Sequence, residues 1–377
     1  MPGDIAEQKF NDDLLLGKKD RETAERRYPT ILHILDNPSL RSYFEKFDPP
    51  ANHAKQSSRR AGCLAIFLAA VALMAASAEH PLRQILEKLP SEYESLRVWP
   101  AILVAVISAL AGIASVVIGS VGVLFAGKKK EWLYRRFMTE RIRQFHFQMF
   151  VCRLPEIRAS LKDERAQEVF MLEWEEWLEG FKAMFEGKVA SEFAKTVSEG
   201  ASTDFWLHDR PKEPSEFRES SDLDPLFRAY RELRILHQIG YANYKLRDDH
   251  KILSEAPRRQ ATELSTIAFT CIVLICALHI IVLVTAFFEL GWSFIGVAII
   301  WLAIVALAVR AVEQGLQPER EIERYQQYSS AAKAVLERFD DARSQGEKVR
   351  IMEEMERLSF DEMRNFLLTN NRSQFVM

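Results

Sequence analysis

The side chains that could do catalytic chemistry are few and poorly arranged. Asp248, Asp249 and His250 come nearest to a cluster. Three adjacent residues on a helix point in different directions, so we interpret them as a solvated helical turn. The chain has no GxGxxG or GxxxxGK(S/T) phosphate loop, no HExxH zinc helix and no CxxC pair. We therefore predict a protein that is not an enzyme, with no catalytic residue, no metal site and no cofactor.

His279 is the one acidic or basic side chain deep inside an apolar stretch. An imidazole in hydrocarbon is costly unless it faces another helix or water, which makes it a functional candidate. The interpretation we favour is a hydrogen bond to a carbonyl one turn back or to a nearby threonine. Thr266 and Thr270 lie along the same stretch, but no carboxylate does. The pattern therefore gives little support to a proton or metal-ion relay.

Small residues recur at steps of four and three in two neighbouring apolar stretches. One stripe consists of Ala101, Ala105, Ser108, Gly112, Ser115, Gly119, Gly122 and Ala126. The other consists of Gly62, Ala65, Ala69, Ala72 and Ala76. In lipid, close backbone approach along such faces is a main source of helix packing. We predict that the two helices pack on each other; in the alternative, one stripe packs between subunits and lines an oligomeric bundle.

Four long stretches carry almost no charge, although 27% of all residues are charged. They cover residues 61–78, 101–126, 265–288 and 292–309. A helix of the shortest stretch rises roughly 27 Å, close to the ~30 Å hydrocarbon core of a bilayer. We predict an all-α polytopic membrane protein with four transmembrane helices in two hairpins, surrounded by the lipid bilayer.

Lysine and arginine concentrate at one side of these stretches. The basic residues are Lys128, Lys129, Lys130, Arg135 and Arg136 after the second stretch, and Arg258 and Arg259 before the third. Such residues stay in the cytoplasm, where they also contact anionic headgroups. We therefore expect a multi-pass protein of the inner (plasma) membrane with both termini cytoplasmic. The first ~56 residues are polar, so we expect no signal peptide.

The polar regions show the periodicity of helices that face other helices. This divides the chain into an N-terminal helical region (1–56), a first hairpin (57–127), a central helical region (128–262) with a linker near 199–224, a second hairpin (263–312) and C-terminal helices (313–377). Residues 168–185, acidic and aromatic, either dock a basic partner or, as we prefer, bury their rings in a local bundle. A net charge of −3 argues against nucleic acid as a partner.

The segment YRELRILHQIGYANYK, residues 230–245, leads through a basic approach into an apolar hairpin. This arrangement resembles the SLATT group, the SMODS- and SLOG-associating two-transmembrane effector domains of bacteria. The residues that carry the match are Arg231, Leu233, Arg234, Gln238, Tyr241 and Tyr244. The resemblance covers about residues 226–340.

The resemblance implies a membrane-perturbing or pore-forming effector that responds to nucleotide signalling, and we expect a homo-oligomer. We expect no nucleotide-making or nucleotide-sensing domain in this chain, so the signal would be a nucleotide or a separate cytoplasmic signalling protein. The alternative, from another class, is a membrane-anchored scaffold or sensor that recruits a cytoplasmic partner. A channel or transporter would need more polar residues at mid-depth than His279.

Overall fold

The computed structural model describes residues 16–86, 94–198, 205–209, 219–249, 256–287 and 293–372. Within these ranges the regular structure is helical and no residue lies in a strand, which confirms the all-α prediction for the described part of the chain. The chain divides into two units. We call them the polar unit (Met1–His53, Glu131–Arg247 and Ile322–Arg372) and the apolar unit (Ala54–Lys130, Asp248–Glu321 and Ser373–Met377).

The helices vary greatly in length. In the first half of the chain they are α1 (Lys18–Arg27), α2 (Leu32–Leu35), α3 (Pro38–Glu45), α4 (Asp48–Leu86), α5 (Glu94–Cys152), α6 (Leu154–Ser160) and α7 (Glu164–Val197). In the second half they are α8 (Asp224–Tyr230), α9 (His237–Lys245), α10 (Pro257–Phe287), α11 (Ser293–Leu316), α12 (Pro318–Asp341) and α13 (Gln345–Arg372). A π-helical turn, Arg231–Leu236, joins α8 to α9.

Side-chain caps determine where two of the helices begin. Asn37 Oδ1 accepts a hydrogen bond from Leu40 N at 2.8 Å at the start of α3. Asp163 Oδ1 accepts one from Ala166 N at 2.8 Å at the start of α7. Each cap satisfies a backbone N–H that has no partner within the helix, and such a cap is worth about 1 kcal/mol.

Aromatic side chains on α5 and α7 build the core of the polar unit. The Phe145 ring stacks on Phe181 with 4.4 Å between centroids, and it meets the Trp174 ring edge-on at 5.7 Å. All three side chains are buried. Fully burying a side chain of this size stabilises the fold by about 1.5–3 kcal/mol. The acidic, aromatic segment of residues 168–185 therefore turns its rings into the unit.

The helices of the apolar unit include the stretches that can cross a membrane. In the described chain, Pro38–Leu86, Pro257–Ala286 and Phe294–Asp341 are long and apolar enough to do so. A further apolar stretch, Ile102–Ile118, is shorter, because the structure describes the side chains only over this range. The backbone of α5 is helical well beyond it, from Glu94 to Cys152. The structure thus gives three membrane-capable helices, and the fourth span stays a prediction.

Candidate functional site

Two serines of the α5 stripe bond the backbone of α4. Ser108 Oγ donates to Ala72 O and Ser115 Oγ donates to Ala65 O, each at 3.1 Å. Between them, a Cβ added at Gly112 would lie 3.8 Å from Ala72 Cβ, an ordinary contact distance. Hydrogen bonds of this kind between helices in lipid are worth about 0.6 kcal/mol on average. In the middle of the first hairpin, α4 and α5 therefore pack on each other through small residues and two serine hydrogen bonds.

The structure describes the surroundings of only some of the remaining stripe residues. Ala105 on α5 and Ala69 on α4 are half-buried. At Gly119, Gly122 and Lys128 the structure describes the helical backbone only.

Trp301 on α11 bonds the first hairpin. Its Nε1 donates to Met74 O and to Ser77 Oγ, both at 3.0 Å. The ring itself is 42% exposed. One indole N–H therefore connects the two hairpins of the apolar unit.

His279 bonds its own helix. Its Nδ1 lies 2.8 Å from Ile275 O, one turn back on α10, and the side chain is exposed. Thr270 likewise donates to Thr266 O at 2.8 Å. Among the described residues no three His, Cys, Asp or Glu side chains are close enough to hold a metal ion. The favoured local hydrogen bond is present, and the imidazole is exposed in the part of the chain that the structure describes.

The juxtamembrane basic residues are largely paired with carboxylates of the chain. The arginine pairs are Arg135–Glu131 at 2.6 Å, Arg136–Glu140 at 2.5 Å, Arg258–Asp248 at 3.5 Å and Arg259–Glu263 at 2.7 Å. Lys130 is exposed, whereas burial lowers the pKa of Lys129 to about 8. Of these two lysines, Lys130 therefore presents its positive charge more fully to an anionic headgroup.

The helical turn predicted at residues 248–250 is wrong over its described part. α9 ends at Lys245, and Asp248 and Asp249 follow it in non-helical chain. Carboxylates at the C-terminal end of a helix oppose its dipole, which favours ending the helix before them. His250 lies outside the described residues, as do residues 199–204 and 210–218 of the predicted linker.

A buried ion pair in the polar unit was not predicted from the sequence. Arg234 donates to both carboxylate oxygens of Glu356 on α13, at 3.0 and 2.8 Å, and Tyr230 OH donates to the same carboxylate at 2.6 Å. The Arg234 guanidinium also lies 4.1 Å from the centroid of the Phe147 ring. Arg234 sits in the π-helical turn, a local distortion that is frequent at functional sites.

Burial governs the electrostatics of this cluster. Burial by itself lowers the pKa of Arg234, but the Glu356 carboxylate more than reverses this and raises it. Burial, together with the negative charge of Glu356, raises the pKa of Tyr230 well above its usual value. The cluster therefore holds a charged arginine, and removing one partner of such a pair costs about 3–5 kcal/mol.

The residues that carry the SLATT resemblance pack on the C-terminal helices. Arg231 donates to both oxygens of Asp340 on α12, each at 2.6 Å. Gln238 Oε1 accepts from Tyr328 OH at 3.1 Å. Three further residues make ring or cavity contacts: Tyr241 against Tyr325, Tyr244 against Arg247, and Leu233 in a cavity wall. The lead-in segment is thus part of a helical bundle.

Part of the predicted linker is a packed strap, residues 205–209. Phe205 O accepts hydrogen bonds from Gln148 Nε2 at 2.9 Å and Gln144 Nε2 at 3.2 Å. His208 Nε2 donates to Phe145 O at 2.9 Å, and its ring stacks on the Phe145 ring. Burial lowers the pKa of His208 to about 4. Sequence reasoning missed this contact, because the only local signal was a pair of adjacent aromatic residues.

No family model, no curated protein and no solved structure matches this chain.

One cavity of the polar unit is mostly apolar. It offers about 30 Å³ to a water-sized occupant beside His146, Phe147, Phe150 and Tyr230. His146 is buried, its Nδ1 has no hydrogen-bond partner, and burial lowers its pKa well below the usual value. The interior has room for little more than a few water molecules, which suits a structural water better than an organic substrate.

Proposed function

We propose that the chain is a multi-pass protein of the bacterial inner membrane, with four transmembrane helices in two hairpins and both termini in the cytoplasm. It acts there as a SLATT-like effector: a homo-oligomer that perturbs the membrane or forms a pore when the polar unit receives a nucleotide or a signalling protein. The observation that carries the proposal is the packing of the SLATT-like segment, since Arg231, Arg234 and Gln238 all bond the C-terminal helices.

The surface of the apolar unit supports a bilayer as its surroundings. Phe67, Leu110, Phe269 and Leu307, one on each long apolar helix, are 62–66% exposed. Soluble monomers rarely expose contiguous apolar surface of more than a few hundred Å². Lipid or further copies of the chain would cover this surface.

The buried Arg234–Glu356 pair supports a switch. A buried ion pair is a weak source of net stability but strongly resists the removal of one partner. A signal that separates the lead-in segment from α13 must therefore supply new partners for both charges. Contacts of this kind favour two discrete arrangements over gradual deformation.

Regulated expression in bacteria with a membrane-potential dye tests the effector function. We expect depolarisation when the wild-type chain is produced with its activating signal. Gly112→Leu, which pushes a large side chain against Ala72, should abolish it, because overpacking a tight contact costs about 1–3 kcal/mol. Gly296→Leu is the matched control, since nothing lies within 4 Å of a Cβ at Gly296.

The outcomes separate the parts of the proposal. Absence of depolarisation under every signal tried would exclude the effector. Equal activity of Gly112→Leu and the wild type would exclude the first hairpin as the working part. Protease that digests the polar unit from outside intact spheroplasts would exclude the cytoplasmic orientation.

One surface favours a second function, a membrane-anchored scaffold or sensor. On α7, Leu172 is 73% exposed and Val169 is 48% exposed, beside the glutamates Glu168 and Glu173. Such a patch fits a partner with an apolar contact and a basic rim. The scaffold predicts a stable heteromeric complex that Leu172→Glu disrupts, and it tolerates Gly112→Leu.

A further inference from the structure

One stripe of α10 is exposed over the described part of the chain. At steps of four and three it consists of Ser265, Phe269, Ile272, Cys276, His279 and Leu283, and all six are exposed. The stripe beside it, which includes Ala268 and Cys271, is buried. A repeat of this period keeps one face of a helix turned toward a single partner helix along its whole length.

The imidazole on this stripe needs a partner that lipid does not provide. Ile275 O can only accept, so the 2.8 Å contact assigns the ring proton to Nδ1. Nε2 is then an acceptor on an exposed side chain. A polar group left without a hydrogen bond in hydrocarbon is costly.

The other exposed face of α10 is different in character. Val273, Ile280 and Val284 are exposed there, and the Thr270 hydroxyl on the same face already donates to Thr266 O of its own helix. Lipid tails satisfy such a face completely. The contrast indicates that lipid covers the valine face and protein covers the His279 face.

We propose that the Ser265–Leu283 stripe of α10 contacts the same stripe of a second copy of this chain, packed in parallel. Copies inserted with one orientation and related by a two-fold axis bring identical residues together. The Cys276 thiol, a weak donor one turn from the imidazole, then reaches Nε2 of His279 in the other copy, and the contact is reciprocal. A single polar layer in an apolar stripe also fixes the register of the pair.

This inference rests on the proposed function, because it places α10 in the bilayer and names the subunit contact of the proposed homo-oligomer. It goes beyond that proposal in assigning the contact to the second hairpin. The small-residue stripes of α4 and α5 face each other, since Ser108 and Ser115 on α5 donate to carbonyls of α4.

The native cysteines provide both a probe and its control. All four are free: Cys63, Cys152, Cys271 and Cys276. A version that keeps Cys276 alone, oxidised in native membranes with copper phenanthroline, should give a disulfide-linked dimer. A version that keeps Cys271 alone should give none, since that thiol is buried. Val273→Cys in a cysteine-free chain should also give none, although Val273 is 49% exposed.

The imidazole is tested by its replacement. In vesicles, energy transfer between tagged copies should show that His279→Leu weakens association about three- to twentyfold, the range expected for one hydrogen bond between helices in lipid. His279→Asn should restore association, because the amide offers a donor and an acceptor at the same place. It also keeps the test decisive where His279→Leu fails to insert.

Two results would overturn the interface: no dimer from Cys276, or equal dimer from Cys276 and Val273→Cys. The same strains, tested with the membrane-potential dye, separate this inference from the effector function. Depolarisation without a Cys276 dimer leaves the effector and removes the interface. A Cys276 dimer without depolarisation leaves the interface and removes the effector.

Discussion

The two units differ in where they place charged groups and large apolar side chains. In the polar unit, Arg234 and Glu356 are at most 4% exposed, and their charges bond each other. In the apolar unit, Phe269 and Leu307 are more than 60% exposed, and the inward polar contacts are hydroxyl or indole groups on backbone carbonyls. The polar unit thus buries charged groups, and the apolar unit exposes large apolar side chains. This distribution is the one expected when water surrounds the polar unit and hydrocarbon surrounds the apolar unit.

This difference indicates which interactions hold the helices of each unit in one arrangement. The polar unit has aromatic stacking and paired charges, which are costly to break singly. In lipid, the hydrophobic effect would not drive the helices of the apolar unit together. Close packing and a few weak hydrogen bonds would then have to hold these helices together. Mutations of similar chemistry should therefore have large effects in the polar unit and small effects in the apolar unit.

Removing one buried charge should have the largest effect. Arg234→Met leaves Glu356 buried and unpaired, and we expect a loss of about 3–5 kcal/mol in the free energy of unfolding. Thermal unfolding of the detergent-solubilised chain, followed by tryptophan fluorescence, measures it. The double variant Arg234→Met with Glu356→Met should recover most of the loss, because no lone charge remains.

The half-exposed pair Arg231–Asp340 provides the control for that experiment. Its side chains are 35% and 41% exposed, so solvent screens the pair and Arg231→Met should cost less than about 1 kcal/mol. Equal losses in the free energy of unfolding for Arg231→Met and Arg234→Met would contradict the prediction that buried ion pairs in the polar unit matter more than exposed ones.

Acidification should loosen the polar unit through His208. Burial lowers its folded pKa to about 4, whereas an unfolded histidine titrates near 6.5. Above pH ~6.5 both states are neutral, and as the pH falls toward ~4 only the unfolded state gains a proton. The contribution of His208 to stability should therefore fall by about 3 kcal/mol across this window.

Replacing the histidine checks the sign and the source of this pH dependence. His208→Gln should make the curve of unfolding midpoint against pH shallower than that of the wild type, leaving the slope that comes from His33 and His146, whose pKa values are also lowered by burial. His53→Gln, at an exposed position, should leave the curve unchanged. A wild-type midpoint that rises on acidification would contradict the assignment.

The sequence predicted what is local. Apolar stretches and helical periodicity were visible, and all-α structure followed from them. The Arg234–Glu356 pair was not, because 122 residues separate the partners. Arg234 was noticed only as part of a resemblance. Similarly, Ser108 and Ser115 were selected for their size, and only the structure shows their hydroxyls donating to α4.

The strap shows a different reason for failure. Pro211, Pro214 and several serines made residues 199–224 resemble a linker. Yet the Phe205 backbone carbonyl accepts hydrogen bonds from two glutamines on α5. A carbonyl acceptor is present at every residue, so no pattern of side chains can identify it.

The smallest effect should come from the one indole that joins the hairpins. Trp301→Phe keeps an aromatic ring at a half-exposed position but removes the N–H that donates to Met74 O and Ser77 Oγ. Interhelical hydrogen bonds in lipid average about 0.6 kcal/mol and reach about 1.7 kcal/mol, so the loss should stay in that range. Unfolding by SDS titration in bicelles measures it, with Ser77→Ala as the milder control because Met74 O still accepts. A loss as large as that of Arg234→Met would mean that the apolar unit, too, depends on buried polar contacts, and the proposed difference between the units would fail.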